Sequence, residues 1–162
     1  MIHEREKGMP GYTLAEYKEK VGQELGVSGW ITIDQKKIDA FADITGDHSF
    51  IHVDVERART TPFGTTIAHG FLTLSLLPAF QIDMGLLVPS DVEMGVNYGC
   101  NRVRFLSPVP SGARVRGRFR LASLEDKAPG VVQQTTECTV ELEGADKPAL
   151  VADWVVQYFI GR

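Results

Sequence analysis

Cysteine is scarce: Cys100 and Cys138 are the only two in 162 residues. They form no CxxC pair and no Cys/His spacing of the metal-ligand kind, so neither a disulfide framework nor a structural zinc site is expected. Both read as free thiols of a reducing cytoplasm. Apolar runs such as Val131-Val132 or Trp154 to Val156 are far too short to span a bilayer. The opening residues Met1-Ile2-His3-Glu4-Arg5-Glu6-Lys7 mix charges and contain no apolar h-region, so no secretory signal is expected. Basic excess is missing too, with 17 Lys and Arg against 21 Asp and Glu. A net charge of −4 lacks the basic footprint of a nucleic-acid binder. Internal repeats and low-complexity tracts are also absent.

What remains is an ordinary globular composition, 43% hydrophobic and 23% charged, in a length that suits one domain over residues 1–162. Residues 1–12 read as a flexible or partner-packed tail. Thr13 predicts an N-cap and Glu16 a capping box for a helix over Leu14 to Lys20, after which Gly22 and Gly26 loosen the chain. Trp30 to Ile33 reads as a strand, and Asp34 as the cap of a helix with an apolar stripe at Ile38, Phe41, Ala42 and Ile44, closed by Gly46. Asp54 predicts a further short helix carrying Val55, Ala58 and Arg59, which Pro62-Phe63-Gly64 ends. Gly70 to Ile82 is almost wholly apolar and predicts a long buried helix, with Pro78 as a possible kink.

Strands are then expected near Val92–Leu106, Ala113–Leu124, Val131–Leu142 and Leu150–Phe159, separated by turns at Pro108 to Gly112, Ala128 to Gly130 and Gly144 to Pro148. Such short connections favour antiparallel pairing. The outline is an α+β fold, an antiparallel sheet wrapped around one central helix. Arg114, Arg116, Arg118 and Arg120 alternate with apolar or small residues and so share one strand face. That face reads first as a solvated surface and second as a rim for a polyanionic ligand tail.

Chemistry concentrates between Gly46 and Gly70. Asp47 and His52 can be brought together by one bent loop, and Ala68-His69-Gly70 opens the apolar helix. A carboxylate and an imidazole can move protons in both directions. A free N–H at a helix start can stabilise a developing oxyanion, and glycine there lets substrate approach the backbone. His48 and His3 carry less weight, since neither is tied to a second motif.

Gly46-Asp47-x-x-x-x-His52 followed by Ile67-Ala68-His69-Gly70 resembles the hydratase signature of the MaoC-like, (R)-specific enoyl-CoA hydratases. Phe41-Ala42-Asp43, Thr45 to His48, Ile51 to Asp54, Pro62-Phe63-Gly64, Asn97-Tyr98-Gly99, Arg104-Phe105 and Pro108-Val109-Pro110 resemble the nodulation-protein-N-like branch. The family pattern Gly-Asp-x-Asn-Pro-x-His is altered here, with Ser49 and Phe50 at the Asn and Pro positions.

The resemblance implies a hot-dog fold and the hydration of trans-2-enoyl thioesters. Asp47 and His52 would be the water-activating dyad and the Gly70 amide the oxyanion donor. Ser49, Phe50, Ala68, His69, Asn97 and Tyr98 would border the substrate, and Ser75 is a weaker candidate. It further implies a homodimer and no cofactor or metal, the CoA or acyl-carrier-protein thioester being the substrate. A thioesterase of the same fold and a non-catalytic acyl-binding accessory protein are the competing expectations.

Overall fold

The computed structural model describes residues 12–85 and 89–161. The expected tail therefore lies outside the described residues except for Tyr12, whose carbonyl accepts a hydrogen bond from the Ser90 N–H. The chain enters through α1 (Leu14–Lys18), where Thr13 and Glu16 form the expected capping box. The segment around Gly22 and Gly26, expected to be loose, is instead a strand, β1 (Glu24–Val27). Gly26 takes φ 151° and the register against its neighbour slips there. A bulge absorbs the glycine without ending the pairing.

After β2 (Ile31–Ile33), the side chain of Asp34 accepts from the Lys37 N–H and starts α2 (Gln35–Thr45), and Gly46 closes it in the left-handed region at φ 78°. Ile38 and Ala42 are buried and Phe41 half-buried, but Ile44 is 84% exposed. At 100° per residue it points well away from the stripe that starts at Ile38, which corrects the expected core face. Two one-turn helices follow, α3 (Phe50–Val53) and α4 (Val55–Ala58). Asp54 caps the second through the Arg57 N–H, while the first was not anticipated.

The central helix is not one rod. It runs as α5 (Gly70–Ser75) and α6 (Leu77–Asp83) with a break at Leu76, and Pro78 sits in the first turn of α6. Proline supplies no N–H to the preceding turn, so the ladder is interrupted where its ring would crowd it. Nor is the helix buried all round. Leu72, Leu77 and Phe80 enter the core, whereas Phe71 is 65% and Ile82 77% exposed.

Four long strands, β3 (Val92–Phe105), β4 (Ala113–Ala128), β5 (Val131–Leu142) and β6 (Leu150–Ile160), complete an antiparallel sheet ordered β1-β4-β5-β6-β3, with β2 also on β4. Leu121 packs with Tyr17, Leu124 and Val132, while alternating residues such as Val115 and Phe119 face inward and share one core with Phe80 of the helix. Gly117 is required at this contact, because a Cβ there would lie 2.5 Å from the Phe119 ring and 2.9 Å from the Phe80 Cβ. No helix among the described residues is long and apolar enough to cross a membrane.

The arginine face resolves in favour of a solvated surface. Arg114 pairs with Glu143, Arg116 and Arg118 with Glu141, Arg118 also with Glu24, and Arg120 with Glu137. Every charge meets a carboxylate on a neighbouring strand or, for Glu143, one residue beyond it, which leaves little net field for a polyanion. Burial pushes the Glu141 carboxyl up, but hydrogen bonds from Arg118 and Arg116 outweigh it and hold the group below its ordinary value.

Candidate active site

Two turns of chain converge on one spot. The left-handed Gly46 ends α2 and throws Asp47 outward, and α3 then carries His52 back beneath it. The Asp47 carboxylate accepts from the Ser49 N–H at 3.2 Å, an Asx turn of the kind aspartate makes after a helix stop. Asp47 remains 57% exposed at its side chain, whereas His52 is buried.

The ring of His52 is tied by its Nδ1 to the Ile67 carbonyl at 2.7 Å. A carbonyl only accepts, so Nδ1 carries the proton and Nε2 presents a lone pair. Gln35 fixes the backbone on either side of this contact. Its amide nitrogen donates to the His52 carbonyl at 2.7 Å, and its amide oxygen accepts from the Thr66 hydroxyl at 2.5 Å. Nothing in the sequence singles out Gln35, since an amide in the first turn of a helix is unremarkable until its partners are known.

His69 lies directly against this pair. Its ring stacks on that of His52 with centroids 3.8 Å apart and planes 25° apart, and its Nε2 donates to the Asp47 carbonyl at 2.9 Å. Polar atoms of Asp47, His52 and His69 all lie within 4.8 Å of one another. One water can bridge groups at that separation, since two hydrogen bonds of about 2.8 Å reach across it.

Ala68, the first residues of α5 and the chain after β3 wall a cleft of about 370 Å³ that His52, Ala68, Gly70, Phe71, Thr73 and Phe105 help to line. Its walls are mainly apolar. Gly70 is the first residue of α5, and no described hydrogen bond engages its N–H. The helix is only six residues long, so the N–H itself matters more than any dipole behind it. Phe105 crowds this point: a Cβ on Gly70 would meet its ring at 2.8 Å. Thr73 and Phe105 were not among the candidates read from the sequence. Thr73 follows Gly70 by one helical turn, a spacing that places it on the same face.

The other candidates sit apart from this cleft. Phe50 turns its face to the Arg57 guanidinium, 3.8 Å from the ring centre. Asn97 accepts from the Trp154 indole N–H at 2.9 Å and helps line a separate cleft of about 310 Å³ with Ser75 and Cys100. Ser75 donates back to the Phe71 carbonyl. Tyr98 is 67% exposed on the edge strand. Ser49 reaches the site through its backbone N–H.

The antiparallel sheet packed against a broken central helix is the hot-dog fold of the MaoC hydratases. Sequence comparison gives the family directly: residues 16–142 match the MaoC like domain, and the chain belongs to the MaoC-like dehydratase family. It is 53% identical over 144 residues to Nodulation protein N of Rhizobium leguminosarum bv. viciae, covering 88% of this chain and 89% of that one. It is 50% identical over 146 residues to 3-hydroxyacyl-thioester dehydratase Z of Mycobacterium tuberculosis, covering 90% and 95%. Among solved structures it is similar to a protein described as the monoamine oxidase regulatory protein from Archaeoglobus fulgius. The TM-score there is 0.74 at 26% identity, over 88% of this chain and 92% of that one.

Proposed function

We propose that this chain is an (R)-specific enoyl-CoA hydratase/dehydratase that adds water reversibly to trans-2-enoyl thioesters. The observation that carries this reading is the convergence of the Asp47 carboxylate and the His52 ring, whose polar atoms come within 4.8 Å, with the ring held at Nδ1 by the Ile67 carbonyl, beside an apolar cleft that begins at the Gly70 amide. The dyad holds one water and takes a proton from it as the hydroxyl bonds to C3. The C2–C3 π pair moves toward the thioester, and the charge on its oxygen is met by the Gly70 N–H. C2 then receives a proton from the dyad. One water is consumed and the dyad ends as it began, so the reverse sequence is a dehydration. No redox step or bound cofactor enters this scheme.

The acyl chain would occupy the apolar cleft, and the carrier is CoA or the chemically equivalent arm of an acyl-carrier protein. The β3 edge, where Met94, Val96 and Tyr98 are exposed, fits a second copy of this chain better than solvent. We take the working form to be a homodimer in the cytoplasm.

Crotonyl-CoA hydration, followed as loss of enoyl absorbance with chiral analysis of the product, tests the reading. Asp47→Asn and His52→Gln should each lower kcat by about a hundredfold or more while the fold persists by circular dichroism. Retained turnover in both variants would refute the dyad. Thiol release without loss of the double bond would indicate a thioesterase. Tight acyl-CoA binding by calorimetry with no conversion would indicate an accessory acyl-binding protein.

A further inference from the structure

We propose that His69 is a positioning residue that locks Asp47 and His52 into one geometry, and that it does not contact substrate. The proposal rests on the hydratase reading of the same site. Three observations converge on it. His69 is only 4% exposed and so offers a substrate almost no surface. Its Nε2–H donates to the Asp47 carbonyl at 2.9 Å, while the Asp47 carboxylate stands farther off at 4.0 Å. The stronger tie therefore goes to backbone and sets where residue 47 sits, rather than sharing a proton with its carboxylate. Lastly, the ring is held between two others, stacked on His52 at 3.8 Å and tilted against Phe41 at 5.0 Å.

One imidazole thus grips both halves of the dyad by different means, a hydrogen bond for Asp47 and a face for His52. The need is local. Asp47 follows a left-handed glycine on an exposed loop, and its other contacts are local, the Asx turn to Ser49 and a long bond from its N–H to the Thr45 hydroxyl. The His52 ring, held by one hydrogen bond at Nδ1, can still rock about its own side-chain bonds unless something blocks its face. The remaining nitrogen of His69, Nδ1, is buried with no hydrogen-bond partner. A proton placed there would be an unsatisfied buried donor, so His69 is suited to hold its neighbours rather than to exchange protons with them.

The two ties can be cut separately. His69→Phe keeps a ring against His52 and deletes the donor. His69→Gln keeps an N–H able to reach the Asp47 carbonyl and deletes the ring. Each should lower kcat for crotonyl-CoA by about tenfold to a hundredfold, the scale of a misplaced reacting group. KM should change little, and both limbs of the pH–rate profile should stay in place. A raised KM with kcat intact would make His69 a substrate contact. A lost limb would make it a titrating group, and wild-type turnover in both variants would show that it positions nothing.

Circular dichroism verifies folding, and if one variant fails to fold the other carries the test. Histidine ring NMR separates this inference from the hydratase reading. In His69→Gln the His52 ring resonances should move and its Nδ1–H should exchange faster, whether or not the wild type turns over. An unchanged His52 signal would overturn the positioning role. A wild-type protein that does not hydrate crotonyl-CoA would overturn the hydratase reading alone.

Discussion

The Ile67 carbonyl accepts the Nδ1–H of His52 at 2.7 Å, and this single bond decides which nitrogen of the buried imidazole is available for chemistry. Ile67 is also bound to residue 51 through its own N–H, which donates to the Ile51 carbonyl at 3.0 Å. The strand-like segment before Gly70 and the one-turn helix that bears His52 are thus laced together on both sides. The tautomer is a consequence of backbone geometry, and the segment that provides it leads three residues later to Gly70, the first residue of α5.

Gly70→Ala tests the close approach at the head of the central helix. The added Cβ would stand 2.8 Å from the Phe105 ring, so either the ring or the helix start must shift. Overpacking of this kind costs about 1–3 kcal/mol, and displacement of the amide should lower kcat by about a hundredfold. Thermal denaturation and crotonyl-CoA kinetics measure both effects. Adding Phe105→Leu should restore much of the stability, because the ring is the obstruction. A double variant no more stable than Gly70→Ala would place the strain elsewhere.

The exposed edge strand β3 gives a prediction about assembly. Val96→Lys puts a charge on an open strand edge, a substitution that blocks edge-to-edge pairing. Sedimentation of the wild type should report a dimer, and that of the variant a monomer with its circular dichroism unchanged. A wild-type monomer would remove the second copy from this face.

Asp43 and His48 clip the loop that carries Asp47, with His48 Nε2 2.9 Å from the Asp43 carboxylate. The hydrogen bond to Asp43 raises the His48 pKa above its ordinary 6.5. A raised folded-state value means that the contribution to stability is fully present below the unfolded pKa and fades as pH rises through the folded one. Both side chains are solvent-exposed, so the effect is small. The thermal midpoint of Asp43→Asn should lie slightly below that of wild type in mild acid, and the gap should close in mild alkali. A gap that widens with pH would contradict the pairing.

Local sequence determined a good deal of this protein. Thr13 with Glu16, Asp34, Asp54 and Gly46 mark helix ends because their side chains or backbone freedom act within three or four residues. The long strands β4 and β5 show the alternation that a half-buried sheet requires, whereas β3 is exposed along most of its length and is marked by the turns that bound it. Asp47, His52 and Gly70 stand out in the sequence by type and spacing, and the fold brings Asp47 and His52 together while His52 and Gly70 line one cleft. Other features needed the whole fold. Gly26 reads as a breaker until β4 offers it a bulged partner. Phe71, Ile82 and Ile44 read as core, yet apolarity alone does not say which face another element will cover.

The arginines of β4 could have been a ligand rim, and only the carboxylates of β5 and β1 decided otherwise. Above all, the relation of His69 to the dyad is tertiary. The sequence places it next to Gly70 and suggests a substrate contact, while the packing of α2, α3 and the segment before α5 turns the ring inward between Phe41 and His52. Residue type and spacing fixed which chemical groups are present. Three-dimensional packing fixed the tautomer, the burial and the side from which each group can be approached, because those depend on neighbours 15 to 22 residues away along the chain.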